Sequence, residues 1–154
     1  MQPLHTFCWL DLAASDAGRA RRFYAQAFGW QFDTQQANGG VYTRCRVGSS
    51  AVASLYQLQR AQVEQGVPSH WTPYLRVAAI DDCVQRIARL GGRLLVAPFD
   101  VPAVARIALI EDAVGALVGL WQSPLSAQST DPLAGGTSRV AHERQHDDVP
   151  VRLL

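Results

Sequence analysis

The sequence predicts an α+β fold made of one β-α-β-β-β module written twice. Val52-Ala53-Ser54-Leu55-Tyr56-Gln57 and Leu117-Val118-Gly119-Leu120-Trp121-Gln122 echo each other, and each closes a β-rich stretch that follows a helical one. The helical runs echo too, one beginning at Asp16 and ending in Phe28-Gly29-Trp30, the other beginning at Asp81-Asp82 and ending in Leu90-Gly91-Gly92. A repeat of roughly 60 residues is too long for a solenoid unit and fits one supersecondary module paired with its copy around a shared core. One domain is therefore expected over residues 1–122, with module one at 4–59, a linker at 60–69 and module two at 70–122. Function is expected between the halves.

Thr6 to Leu12 alternate as a strand, with Phe7, Trp9 and Asp11 on one face and Cys8, Leu10 and Leu12 on the other, the second set being the expected core. Ser15 or Asp16 N-caps a helix in which Ala20, Phe23, Tyr24, Ala27 and Phe28 recur at helical spacing, and Gly29 stops it. Extended structure resumes at Trp30 to Asp33. Asn38-Gly39-Gly40 signals a turn, and Val41 to Arg46 and Ala51 to Leu58 read as the arms of a meander broken at Gly48. The polar stretch from Arg60 to Ser69 reads as linker. Trp71 to Ala78 alternates again, and Ile80 and Asp81 open a helix with Val84, Ile87, Ala88 and Leu90 as its apolar stripe. Arg93 to Ala97, Val104 to Glu111 and Ala116 to Gln122 supply the last strands, with Pro98 and Pro102 bracketing a loop. From Ser123 the composition turns to Ser, Thr, Gly, Pro and charges, so residues 123–154 are expected to form a disordered tail.

With 14 basic and 13 acidic residues the formal charge is +1, which leaves no electrostatic footprint for DNA or RNA. Met1-Gln2-Pro3-Leu4-His5 lacks the charged start and apolar run of a secretory signal, and no segment has the length of a bilayer span. A cytoplasmic protein with no membrane partner is expected. Cys8, Cys45 and Cys83 are odd in number and far apart, without the paired spacing of a zinc or redox site, and read as small buried residues.

Phe23-Tyr24 and Phe28-Gly29-Trp30, together with the terminal Asp112-Ala113-Val114-Gly115-Ala116-Leu117 turn and strand, resemble the vicinal oxygen chelate superfamily. That superfamily includes glyoxalase I, bleomycin-resistance proteins and extradiol dioxygenases. The similarity covers about residues 5 to 122, and Trp71-Thr72-Pro73-Tyr74 on the fifth strand is similar to the glyoxalase-like branch. The resemblance implies two paired β-α-β-β-β modules forming a curved mixed-sheet cup with helices outside. It also implies that metal-dependent members draw four ligands, usually His, Gln or Glu, from inward positions on the first and last strand of each module. Those positions fall here on Trp9, Ser54, Thr72 and Gly119, none of them a ligand for a divalent ion in a nitrogen/oxygen site. No metal and no other cofactor is therefore expected, a divalent metal being the disfavoured alternative. A two-residue slip would bring Asp11 or His70 nearer without repairing the last strand, where Leu117, Gly119 and Trp121 share a face.

If the sheet curls as the resemblance implies, Trp9, Tyr56, Tyr74 and Trp121 line one concave surface, with Asp11, Ser54, Thr72 and Arg76 available to orient a flat or apolar molecule and Gly119 leaving space. Aromatics at strand spacing are more often ordinary core, and it is the resemblance that favours a pocket. Asp11 and His70 are the catalytic candidates: Asp11 as a partly buried carboxylate of raised pKa, or else a turn cap; His70 as an acid or base, or else a solvated loop residue. His5, His142 and His146 read as incidental. The expected function is metal-free binding or sequestration of a small aromatic or amphipathic molecule, of the bleomycin-resistance kind. A metal-dependent lyase, isomerase or dioxygenase and a homodimeric protein-interaction module are the alternatives, and whether the chain is an enzyme stays open.

Overall fold

The computed structural model describes residues 3–37, 40–102 and 104–124, without the side chains of residues 35–37 and 40. The turn expected at Asn38-Gly39 and the tail expected beyond Pro124 lie outside the described residues. The elements are β1 Phe7–Ala14, α1 Ala17–Phe28, β2 Gln31–Ala37, β3 Gly40–Val47, β4 Ser50–Gln57, α2 Arg60–Glu64, β5 His70–Arg76, α3 Ile80–Arg89, β6 Arg93–Val101, β7 Ala105–Glu111 and β8 Leu117–Gln122. They build one eight-stranded sheet in the order β2-β3-β4-β1-β5-β8-β7-β6. Each module closes with a parallel pair, β1 with β4 and β5 with β8, and the antiparallel β1/β5 pair joins the modules at the centre. The duplicated mixed-sheet architecture is the one the strand echo predicts. Registers agree as well: Ala13 pairs with Tyr56 and Arg76 with Trp121, so the two modules place Tyr56 and Trp121 at equivalent sites.

The glutamine that ends each echo has a physical role. Gln57 Oε1 accepts the Ala17 N–H at 2.8 Å, and Gln122 Oε1 accepts the Ile80 N–H at 2.8 Å. Each last strand thus satisfies an orphan donor in the first turn of its own module's helix. Asp16 caps α1 by accepting from the Arg19 N–H at 2.8 Å, whereas Ala79, the N-cap of α3, offers no side-chain bond. Gln57→Ala and Gln122→Ala should each lower stability by about 1 kcal/mol, Gln122→Ala the more, in urea denaturation. An unshifted midpoint in both would remove this role.

Helices cover one face of the sheet. Leu12, Ala14, Cys45, Ala53 and Leu55 pack against Ala17, Ala20 and Tyr24 of α1. Val77, Ile80, Ala108, Ile110 and Leu120 pack against Cys83, Val84 and Ile87 of α3. A third cluster, Trp9, Tyr74, Ala105, Leu109 and Trp121, lies on the concave face. Among the described residues no helix is long and apolar enough to cross a membrane.

Several expectations are corrected. Cys8 joins the concave cluster because the β1/β5 register shifts between Phe7 and Trp9 and breaks the period of two, and Leu10, beyond the shift, is exposed rather than core. Phe23 and Phe28 are 58% and 63% exposed, and Ala27 is exposed too. The helix meets the sheet through its small residues and Tyr24, which stacks on Trp30 with ring centroids 4.9 Å apart and accepts the Trp71 indole N–H at 3.1 Å. The α3 seam runs Ile80, Cys83, Val84, Ile87, one turn earlier than expected, leaving Ala88 and Leu90 outside. The linker contains α2, closed by a capping box in which the Gln62 Oε1 accepts the Gln59 N–H at 2.8 Å, and Gln62 is buried. No loop begins at Pro98: β6 runs through it to Val101, which an edge strand with irregular register tolerates. Of the cysteines, all free, Cys45 is buried while Cys8 and Cys83 are half-buried.

Candidate ligand site

Residues directly opposite each other on neighbouring strands share a face, so the registers map the concave surface row by row. Asp33, Arg44, Ser54, Asp11 and Thr72 follow one another across β2, β3, β4, β1 and β5. Tyr42, Tyr56, Ala13 and His70 form the next row on one side. On the other side run Trp9, Tyr74, Gly119, Leu109 and Val96, then Arg76, Trp121, Ile107 and Phe99. The surface is therefore asymmetric. Module one contributes Tyr42, Arg44, Ser54, Tyr56 and Asp11, where module two contributes Ile107, Leu109, Gly119, Trp121 and Tyr74.

The module-two half is filled by its own side chains. Tyr74 and Trp121 are each 4% exposed and Trp9 7%. The Trp121 ring lies 6.2 Å from that of Trp9 and 6.0 Å from that of Tyr74, the latter pair edge to face. A Cβ built on Gly119 would stand 2.6 Å from Cγ of Tyr74. The space expected at Gly119 is therefore taken by the Tyr74 ring, and that expectation is corrected. The Trp121 indole N–H has no acceptor among the described residues, a cost of about 1–3 kcal/mol built into this half.

At the centre, Trp9 Nε1–H donates to Ser54 Oγ at 2.8 Å and the Ser54 hydroxyl donates to Asp11 Oδ1 at 2.9 Å. Burial pushes the Asp11 carboxyl up to about 6, against the opposing Ser54 hydrogen bond and the charge of His70. The phenols of Tyr56 and Tyr74 are raised as well, by burial first and the Asp11 charge second. His70 is a diagonal neighbour of Asp11, since Asp11 pairs with Thr72 and Ala13 with His70. Its Nδ1 stands 2.8 Å from the Pro68 carbonyl, which can only accept, so Nδ1 carries the hydrogen. Thr72 is buried beside Asp11. Arg76 lies apart from this centre, hydrogen-bonded to the Cys8 thiol, which burial raises against that pull.

The side chains at the four family ligand positions do not fit a metal. The Trp9 indole is a donor without a lone pair to offer, Ser54 is committed to Trp9 and Asp11, and Gly119 has no side chain and lies under Tyr74. Among the described residues no three His, Cys, Asp or Glu side chains come together. Of the residues read from the sequence onto one concave surface, Trp9, Asp11, Ser54, Thr72 and Tyr56 surround this centre, Tyr74, Arg76, Gly119 and Trp121 stand in the module-two rows, and Arg44 and Tyr42 were missed. The alternation Tyr42, Arg44, Arg46 against Thr43 and Cys45 was the available signal.

The sequence profile of the Glyoxalase/Bleomycin resistance protein/Dioxygenase superfamily matches residues 4–120. The chain belongs to that superfamily. Among curated relatives of this glyoxalase-superfamily chain, CFP32 of Mycobacterium tuberculosis, which carries the name glyoxylase, is 34% identical over 117 residues, 75% of this chain and 44% of CFP32. The anthracycline biosynthesis protein DnrV of Streptomyces peucetius is 27% identical over 125 residues, 74% of this chain and 46% of DnrV. The chain thus spans about half the length of the curated relatives it matches. Methylmalonyl-CoA epimerase from M. tuberculosis superposes with a TM-score of 0.58 at 21% identity, covering 79% of this chain and 91% of the epimerase. A hypothetical protein, BH1468 of Bacillus halodurans, gives 0.62 at 15%, covering 81% and 99%. These two structures share the fold.

Proposed function

We propose that this superfamily member is a metal-independent binding domain for a flat aromatic or amphipathic small molecule, held on the module-one half of the concave face. The observation that carries the reading is the Trp9–Ser54–Asp11 hydrogen-bonded chain, which occupies two of the family's ligand positions with groups that orient an organic molecule and hold no ion. Half-buried Tyr42 and Tyr56 stand beside it and offer aromatic surface with a polar end. The name of DnrV, an anthracycline biosynthesis protein, is in keeping with a small organic ligand. Asp11, with a carboxyl titrating at about 6, would orient a donor on the ligand or exchange a proton with it. Nucleic acid and membrane have no place in this reading. It is tested by titrating planar aromatic compounds into protein dialysed against a chelator, following tryptophan fluorescence. Saturable binding that survives chelation supports it, and binding that requires an added divalent ion refutes it.

A further inference from the structure

Arg44 is an unbalanced charge on the module-one half of the concave face. Its Nε is buried and has no acceptor, and no ion pair or hydrogen bond engages its side chain among the described residues. The carboxylate placed for it, Asp33 directly across on β2, is held instead by Arg46 at 3.0 Å. Arg46 also reaches Gly48 O at 3.1 Å and Gln31 Oε1 at 3.4 Å, so both of its terminal nitrogens are engaged. The β3/β4 register shifts between Cys45 and Arg46, beside this ion pair. A half-buried guanidinium without a counter-ion carries a desolvation cost that an anion would relieve, and its planar fork favours a carboxylate held by two hydrogen bonds.

Building on the small-molecule reading, we propose that the ligand is an organic anion, a planar carboxylic acid whose carboxylate pairs with Arg44 and whose ring lies over Ser54 and Tyr56 toward Asp11. Arg44 and Asp11 are two strands apart, roughly 10 Å at the usual strand spacing, which suits a bicyclic acid. Asp11 fixes the ligand's direction, since its carboxyl repels the anionic end toward Arg44. One site per chain follows, because the place equivalent to Arg44 in module two is Leu109, opposite Gly119 as Arg44 is opposite Ser54.

The test is calorimetric titration of 2-naphthoate and its neutral match 2-naphthamide into the full chain. The naphthoate should bind about tenfold to a hundredfold tighter, with one site, and Arg44→Gln should bring the two affinities together. Arg44→Lys, which keeps the charge and loses the fork, should retain only part of the preference, and it decides the matter if Arg44→Gln fails to fold. Equal affinities in the parent chain, or a preference untouched by both variants, would overturn the anion site while leaving small-molecule binding intact. Binding of neither compound would overturn both.

Discussion

Gly119→Ala is expected to destabilise the fold by about 3 kcal/mol, at the upper end for overpacking a core. The added methyl would stand 2.6 Å from Cγ of Tyr74. That ring cannot simply swing aside, because it is 4% exposed and lies edge to face on Trp121. Tyr74→Ala alone should cost about 3–5 kcal/mol by opening a cavity. The double variant separates the causes: with the ring gone, the alanine at 119 has room, so the two costs should sum to more than the pair shows. Urea denaturation of the four proteins measures this. A neutral Gly119→Ala, or strictly additive losses, would mean that the ring does not occupy the glycine's place.

Asp11→Asn should stabilise the protein at alkaline pH and leave it unchanged in acid. The folded-state carboxyl titrates at about 6 against an ordinary 3.8, so the folded chain holds the proton more tightly than the unfolded one. Stability from this group is therefore fully present below about pH 4 and lost as pH rises through 6. Two units of difference correspond to about 3 kcal/mol by pH 8, trimmed to about 2 because the residue is only half-buried. Asparagine keeps an oxygen to accept from Ser54 and carries no charge to bury. Denaturation of both proteins from pH 4 to pH 8 should show their stabilities diverging across that range. A gap that does not change with pH would refute the raised carboxyl.

The duplicated modules, the strand faces around Asp11 and the helix stops were legible because they rest on local periodicity and on one repeated string. What escaped depends on partners distant in sequence. Gln57 and Gln122 could be seen as an echo but not as helix-capping groups, since the amides they satisfy are 40 or more residues away. A glycine at 119 reads as empty space until a neighbour leans into it. The exposure of Phe23 and Phe28 was hidden by a helical spacing that fits a buried stripe equally well; only the seating of Tyr24 against Trp30 and Trp71 shows which residues the helix uses. The isolation of Arg44 follows from Arg46 capturing Asp33, a choice between two arginines on one strand that composition does not reveal.

The most direct test of metal-independent binding is elemental mass spectrometry on the untagged chain, as purified and after incubation with manganese, iron, nickel and zinc followed by dialysis. The chemistry of Trp9, Ser54, Thr72 and Gly119 predicts far less than one bound ion per chain throughout, with unchanged affinity for the planar ligand. One ion retained per chain, with ligand binding lost on its removal, would contradict it.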